Sequence, residues 1–453
     1  MFKYENDSRK VKNGQTFIAI KGLTVDGHDY IDKAISNGAS HIICEKDIDV
    51  NIPYTKVEDT SEYQKNILAN EYGYLINKLK LIGVTGTNGK TTSCFLIYQM
   101  LLEQGINAAY IGTLGFYHKD KYVVLNNTTP DIVLLYQLLY SAYNDGCEVV
   151  VMEVSSQALS YDRLFGINFD IIGFTNFTED HLDYHKTMDN YLNAKKLILK
   201  HLKNNCIICA NCDDEYHIEF NNKKNKFITF GVNGEYKIIN YSTSPKDTDL
   251  IFEFNNTKYS VTIPLTSKFN IYNYLTMLSI LNQHGIIIDS LLEKTSLLKS
   301  PKGRCETIQV KDAYAVVDYA HTPDAVEKVI STYNDLKKSK VITIIGCGGD
   351  RDPKKRPLMG EIATRLSDYV IITNDNPRTE DENNIIKDIL SGITKDNFEV
   401  ITDRRTAIKI GLDMLEKDDI LLILGKGHEN YQIIGKEKFH FDDVEEVFKY
   451  KNN

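Results

Sequence analysis

Apolar positions along this chain fall mostly in continuous runs, with little strict alternation. Unbroken runs stand at 148–154 (EVVVMEV) and 170–175 (DIIGFT), and beyond residue 306 in AVVDYAH, VITIIGCGGD, YVIITND, FEVIT and ILLILGKG. Runs of this kind, with helical segments between them, predict parallel strands covered on both faces. The plainest helix is TTSCFLIYQMLLEQG, which follows the strand and glycine loop of LIGVTGTNGK. Ahead of it lies a smaller mixed segment, with strands expected at 16–20 and 41–44 and a helix near 30–37. A more polar stretch at 220–262 reads as hairpins, and SLLKSPKGRCE near 296–306 reads as a linker. The expected fold class is α/β in three domains. These are a small mixed α/β N-terminal domain (1–78), a central P-loop ATPase-like parallel-sheet domain (79–300) and a C-terminal Rossmann-like α/β domain (301–453).

Composition narrows the function classes. The 453 residues are 42% hydrophobic and 25% charged, which suits several packed cores. With 53 Lys and Arg against 62 Asp and Glu, the net charge is −9. No basic field exists to draw the chain onto nucleic acid or anionic lipid, so neither is an expected partner. Mean hydropathy is −0.31, and no apolar run approaches the roughly 18 residues that cross a bilayer. The polar start MFKYENDSRKVKNG has no signal-peptide core. Eight cysteines, mostly scattered, fit free thiols in a reducing cytoplasm. Cys206, Cys209 and Cys212 in CIICANC mimic metal-ligand spacing, but 205–210 reads as a short buried strand, in which positions three apart face opposite ways.

Chemistry concentrates in a few places. In GVTGTNGKTT, a strand ends in a glycine-rich turn that opens a helix, the arrangement that surrounds phosphate oxygens with backbone N–H groups. Strict Walker spacing would put glycine at Val84. The loop itself is Gly86-Thr87-Asn88-Gly89-Lys90-Thr91-Thr92, with Lys90 reaching nucleotide phosphates and the Thr91 hydroxyl a ligand for Mg²⁺. Glu153 ends a buried apolar strand, where a carboxylate needs a cation or a donor. TNFTEDHLDYH, 175–185, follows another strand with acids and two histidines, and Lys195 stands fourteen residues beyond His181 on a predicted helix. A free lysine beside metal-bound phosphates would bring charge and no ligand.

Together these motifs resemble the Mur ligase family, the ATP-dependent amide-forming ligases of peptidoglycan precursor assembly, and within it the tripeptide-forming members. The resemblance runs from Asp7-Ser8-Arg9 to Gly425-Lys426-Gly427-His428-Glu429. It implies an acid–amino-acid ligase of cell wall biogenesis, and through it of cell shape and division. Thr128, Thr129, Ser155 and Arg163, with Ser8 and Lys195, match positions that hold a UDP-muramoyl-dipeptide. Asn270, Asn273, Arg304 and Asp318 match positions around ATP, beside the phosphate loop, and Asp318 and His321 share the segment DYAHTPD. Metal-ligand positions fall on Thr91, Glu153, His181 and Lys195, the lysine carbamylated in the family. Carbamylation turns an ammonium into an anionic oxygen ligand, which Mg²⁺ prefers. Lys90, Glu153, His181 and Lys195 are then the catalytic set.

Asp375-Asn376-Pro377-Arg378 resembles the form of this motif in enzymes that add meso-diaminopimelate. That amino acid differs from lysine by a second carboxylate, which a planar guanidinium can grip with two hydrogen bonds. Arg351, Gly425 and Glu429 match the other positions around it, with Glu429 expected to oppose the distal ammonium. The resemblance thus implies a monomeric ligase that uses ATP and Mg²⁺ and forms an acyl phosphate on the UDP-muramoyl-dipeptide before a diamino acid attacks. Two departures stand out. The family carries a longer segment ahead of the Asp7-Ser8-Arg9 motif, which bears on how the uridine is held. Tyr161 stands where relatives carry a glutamine. Rival readings are the same chemistry with lysine, another diamino acid or a natural-product acceptor, and a non-catalytic nucleotide-binding scaffold. A folylpolyglutamate synthetase shares the phosphate loop but explains neither DNPR nor GKGHE.

Overall fold

The structure is a computed structural model and describes residues 2–22 and 25–452. The chain divides into two compact units, Met1–Lys237 with Leu275–Leu291, and Ile238–Tyr274 with Leu292–Asn453.

In the first unit, strands Tyr4–Glu5, Thr16–Ile18, His41–Cys44 and Tyr54–Lys56 form a small parallel sheet. The main sheet runs, in spatial order, Lys226–Gly231, Leu202–Asn211, Phe169–Phe174, Lys80–Thr85, Val149–Glu153 and Ala108–Gly112, all parallel. Gly115–His118 and Lys121–Val123 extend it as an antiparallel edge. Every residue of Val149–Glu153 is buried, which is why its run does not alternate. Helix Ile132–Asn144 packs seven of its side chains inward, and Asp131 caps it by accepting from the N–H groups of Val133 and Leu134. The strands Lys80–Thr85, Val149–Glu153 and Phe169–Phe174 lie side by side, so the loops leaving their carboxyl ends converge. That is where open parallel sheets build ligand sites.

The second unit holds a six-stranded sheet in the order Glu306–Val310, Ala313–Asp318, Ile420–Leu424, Val341–Ile345, Tyr369–Ile372 and Phe398–Val400. The first two strands form a hairpin and the others are parallel. One sequence expectation changes in part. Within 220–262, Thr248–Phe254 and Thr257–Ile263 form a hairpin, as expected. Lys226–Gly231 instead continues the parallel sheet against Leu202–Asn211, and pairs in parallel with Tyr236 and Lys237. Its short alternation resembled a hairpin arm because local pattern does not tell a parallel neighbour from an antiparallel one. The cysteine reading holds: Cys206 and Cys209 are buried on Leu202–Asn211, and all eight thiols are free. Among the described residues no three His, Cys, Asp or Glu side chains form a metal cluster, and no helix is long and apolar enough to cross a membrane.

Candidate active site

The phosphate loop begins where strand Lys80–Thr85 ends. Gly86 has φ 149°, and a Cβ there would lie 2.0 Å from Thr175 Oγ1. Gly89, at φ 84°, opens helix Lys90–Glu103 without a side-chain cap, and the N-terminus of a helix favours an anion. The segment after strand Phe169–Phe174 braces the loop. Thr87 N donates to Asn176 O (2.8 Å), Asn88 N to Asn176 Oδ1 (2.9 Å), and Thr175 Oγ1 to Asn88 O (2.6 Å). Lys90 Nζ donates to the carbonyls of Gly86 and Thr87 at 2.9 and 2.8 Å, and Thr92 is buried in the first helical turn. Substituting Gly86 by Ala drives a methyl into Thr175. Overpacking costs about 1–3 kcal/mol, so ATP affinity should fall by roughly tenfold or more in a direct titration.

Glu153, 0% exposed, faces this loop. Its Oε2 accepts from the hydroxyls of Thr91 (2.9 Å) and Thr113 (3.2 Å), and its Oε1 from Tyr110 Oη (2.6 Å) and Thr113 N (2.9 Å). All four donors are neutral. A fully buried carboxylate with no cation of its own, beside a threonine hydroxyl at the phosphate loop, is a hard-oxygen donor set suited to a divalent cation. Lys195, 1% exposed, donates to Gly86 O at 2.6 Å and lies over the Tyr191 ring at 4.4 Å. Burial, then the nearby Lys90 ammonium, holds its amine well below the usual lysine range. His181 starts the turn Leu182–His185 at φ 53°, and burial lowers its pKa, so its imidazole is neutral at pH 7.

Lys90, Thr128, Ser155, Arg163, His181 and Lys195 line one cleft of about 460 Å³. Gln157, Tyr161, Tyr184 and Tyr191 line it too. Thr129 does not. Its buried hydroxyl donates to Glu153 O (2.8 Å) and accepts from Ser155 N (3.1 Å), so it joins two strand-end turns. Ser155 caps helix Ser156–Ser160 through Ala158 N, and Arg163 donates to Thr129 O at 2.7 Å. Ser8 is buried away from the cleft lining, and Arg9 folds back onto Asp7 in a two-point pair.

In the second unit, Asn270 donates to Thr266 O (2.8 Å) and Asn273 to Asn270 Oδ1 (2.9 Å). The Arg304 guanidinium lies 4.9 Å from the Tyr319 ring, with its Nε buried and unpartnered. Asp318 accepts from Cys305 N (2.7 Å) and Ala320 N (2.8 Å), which pins the turn into Tyr319 and His321. Its carboxylate, expected at the nucleotide, is held in place by these two backbone donors, one on each oxygen.

The segments 375–378 and 425–429 meet in this unit beyond the carboxyl ends of Tyr369–Ile372 and Ile420–Leu424, two strands that flank Val341–Ile345. Asn376 Nδ2 donates to Glu429 Oε2 (2.8 Å) and to Asp375 Oδ1 (2.9 Å). Fully buried Lys426 stands 3.3 Å from Asn376 Oδ1, 3.5 Å from Glu429 Oε2 and 3.8 Å from Asp375 Oδ1. Sequence reasoning passed over Lys426. Glu429, expected to oppose a substrate ammonium, shares the single Lys426 ammonium with Asp375. Gly425, at φ 115°, leaves room for Asp375, whose Oδ2 a Cβ would approach to 2.5 Å. The buried Arg404–Asp443 pair ties this ground together, with Arg404 donating also to Leu424 O (3.0 Å) and Asn374 O (3.4 Å). Pro377 turns the chain into Arg378, which is half-buried at φ 53° and donates one N–H to Gly349 O at 2.7 Å. Exposed Arg351 donates to Asp350 O.

Three segments of the chain match described domains: Mur ligase family, catalytic domain, over 4–74; Mur ligase middle domain over 84–281; and Mur ligase, glutamate ligase domain, over 303–427. A Clostridium acetobutylicum protein named UDP-N-acetylmuramoyl-L-alanyl-D-glutamate--2,6-diaminopimelate ligase 1 is 42% identical over 453 residues, 98% of this chain and 93% of its own. A Fusobacterium nucleatum ligase of the same enzyme name is also 42% identical, over 97% of this chain and 92% of its own. A solved structure of a UDP-N-acetylmuramoyl-L-alanyl-D-glutamate--2,6-diaminopimelate ligase superposes with TM-score 0.70 at 32% identity, covering all of this chain and 95% of that one. MurF ligase from Thermotoga maritima in complex with ADP shares the fold (TM-score 0.69, 20% identity, 99% of this chain and 96% of that one). This chain belongs to the Mur ligase family.

Proposed function

We propose that this protein joins meso-2,6-diaminopimelate to UDP-N-acetylmuramoyl-L-alanyl-D-glutamate, converting ATP to ADP and phosphate. The observation that carries the reading is the cleft of the first unit, where Lys90, His181 and Lys195 meet beside the buried Glu153. A carboxylate does not condense with an amine in water, because oxide is a poor leaving group. Transfer of the ATP γ-phosphoryl group to a D-glutamyl carboxylate oxygen gives ADP and an acyl phosphate. The neutral amine of diaminopimelate then attacks the acyl carbon, the C–O bond to phosphate breaks, and the amine loses its proton as the amide forms.

Lys90 and the helix N-terminus behind it stabilise charge on the transferring group. Thr91 and Glu153 would hold one Mg²⁺, and His181 with carbamylated Lys195 a second; bound there, Mg²⁺ neutralises phosphate charge. Burial supports carbamylation, since a neutral Nζ can attack CO₂, form the N–C bond and release one proton. Arg163 would take the acceptor's carboxylate, and Arg378 the distal carboxylate of the diamino acid. In this reading the functional division is 1–78, 79–300 and 301–453, which the three matched segments support, and the substrates speak for a cytoplasmic location.

Mass spectrometry tests this directly. Incubation with ATP, Mg²⁺, the UDP-muramoyl-dipeptide and diaminopimelate should yield the dipeptide plus one diaminopimelate less one water. A product carrying lysine in preference would replace the acceptor assignment.

A further inference from the structure

We propose that Tyr110 and Thr113 are positioning residues that aim the Glu153 carboxylate at a divalent cation on the phosphate loop. The inference rests on the reading of Glu153 given above and extends it to side chains outside that ligand set. Tyr110 lies on the strand Ala108–Gly112 next to Val149–Glu153 and is fully buried. Its hydroxyl donates to Glu153 Oε1 at 2.6 Å, and Thr113 N donates to the same oxygen at 2.9 Å. A carboxylate free to rotate about its last bond can present either oxygen. With Oε1 taken by two donors, Oε2 is the oxygen held against the Thr91 hydroxyl at the loop. The Thr91 proton points at Glu153, which turns the hydroxyl's lone pairs outward, the orientation a cation ligand needs.

Two further features show that the arrangement is built closely. A Cβ on Gly112 would lie 2.3 Å from both Glu153 Oε1 and Tyr110 Oη, so the backbone itself walls in the pair. Thr113 also reaches the other side of the site. Its hydroxyl lies 3.2 Å from Glu153 Oε2 and 3.1 Å from the hydroxyl of Thr128, which lines the cleft. Thr113 therefore links the substrate cleft to the carboxylate. Partners that orient a metal ligand typically change metal affinity by about 10–100-fold when removed.

The test is Mn²⁺ binding to the full chain with ADP, read from the free-ion electron paramagnetic resonance signal, with thermal unfolding followed in parallel. Wild type would be compared with Tyr110→Phe, Thr113→Val, Thr113→Ser and Glu153→Gln. Tyr110→Phe and Thr113→Val should each weaken Mn²⁺ binding by about tenfold or more, while Thr113→Ser stays near wild type. If both variants bind Mn²⁺ as wild type does while Glu153→Gln loses it, the positioning roles are overturned and the Glu153 assignment stands, whatever the melting temperatures. If Glu153→Gln binds Mn²⁺ normally, the cation reading itself fails and this inference with it. Should Tyr110→Phe not fold, the Thr113 Val and Ser pair decides.

Discussion

Replacing Lys195 with Ala is expected to lower turnover by roughly 10²–10³-fold, the range seen when one preorganised stabiliser of transition-state charge is lost. A short-chain carboxylic acid such as acetate should restore part of it, because the space vacated by a carbamate accepts a carboxylate of similar shape and charge. The loss should not come from unfolding. Burial and then the Lys90 ammonium hold the amine well below the usual lysine range in the folded chain. The unfolded state therefore binds the proton more tightly, and an unmodified Lys195 opposes folding increasingly as pH falls from 10.5 toward its folded pKa. In protein kept free of CO₂, where the amine is unmodified, removing it takes that penalty away, so thermal stability at pH 7 should hold or rise. Full activity in the Ala variant would remove Lys195 from the mechanism, and a melting temperature below that of the CO₂-free wild type would refute the account of its burial.

The second large effect concerns the acceptor. Arg378→Ala removes the guanidinium proposed to meet the distal carboxylate. A charge-assisted bond contributes about 1.5–3 kcal/mol, so the Michaelis constant for diaminopimelate should rise roughly 10–150-fold. The constants for ATP and for the UDP-muramoyl-dipeptide should stay near wild type, since Arg378 reaches only the 348–351 loop and the hairpin Tyr431–Ile434 with Glu437–His440. Discrimination against lysine should shrink by a similar factor. Unchanged kinetics with diaminopimelate would show that another cation recognises that carboxylate.

What the chain reveals before folding depends on whether a feature is local. The buried strands announce themselves because a strand covered on both faces must be apolar at every position, as Val149 to Met152 are. Glu153 stands out for the same reason, as the one charge at the end of such a run. Its partners do not stand out: Tyr110 and Thr113 lie some forty residues away and meet it only through the pairing of neighbouring strands. Lys426 sat inside a motif already noticed, but Asp375, fifty-one residues away, comes within reach of it only through the folding of the sheet. Thr129 and Asp318 stand out by residue type, but the backbone groups they hold, Glu153 O and Ser155 N for one and Cys305 N and Ala320 N for the other, are brought to them by the fold. The polar stretch from 220 misled because alternation marks a half-exposed strand without saying whether its neighbour runs parallel or antiparallel.

The central claim is that amide formation draws on ATP only when both substrates are present, and the most direct measurement is phosphate release. Assayed with ATP and Mg²⁺, the protein should release phosphate rapidly only with the UDP-muramoyl-dipeptide and diaminopimelate together, one phosphate per amide formed. Omitting either should reduce release to background, and lysine in place of diaminopimelate should leave it low. Phosphate release independent of the acceptor, or none under any combination, would contradict the account.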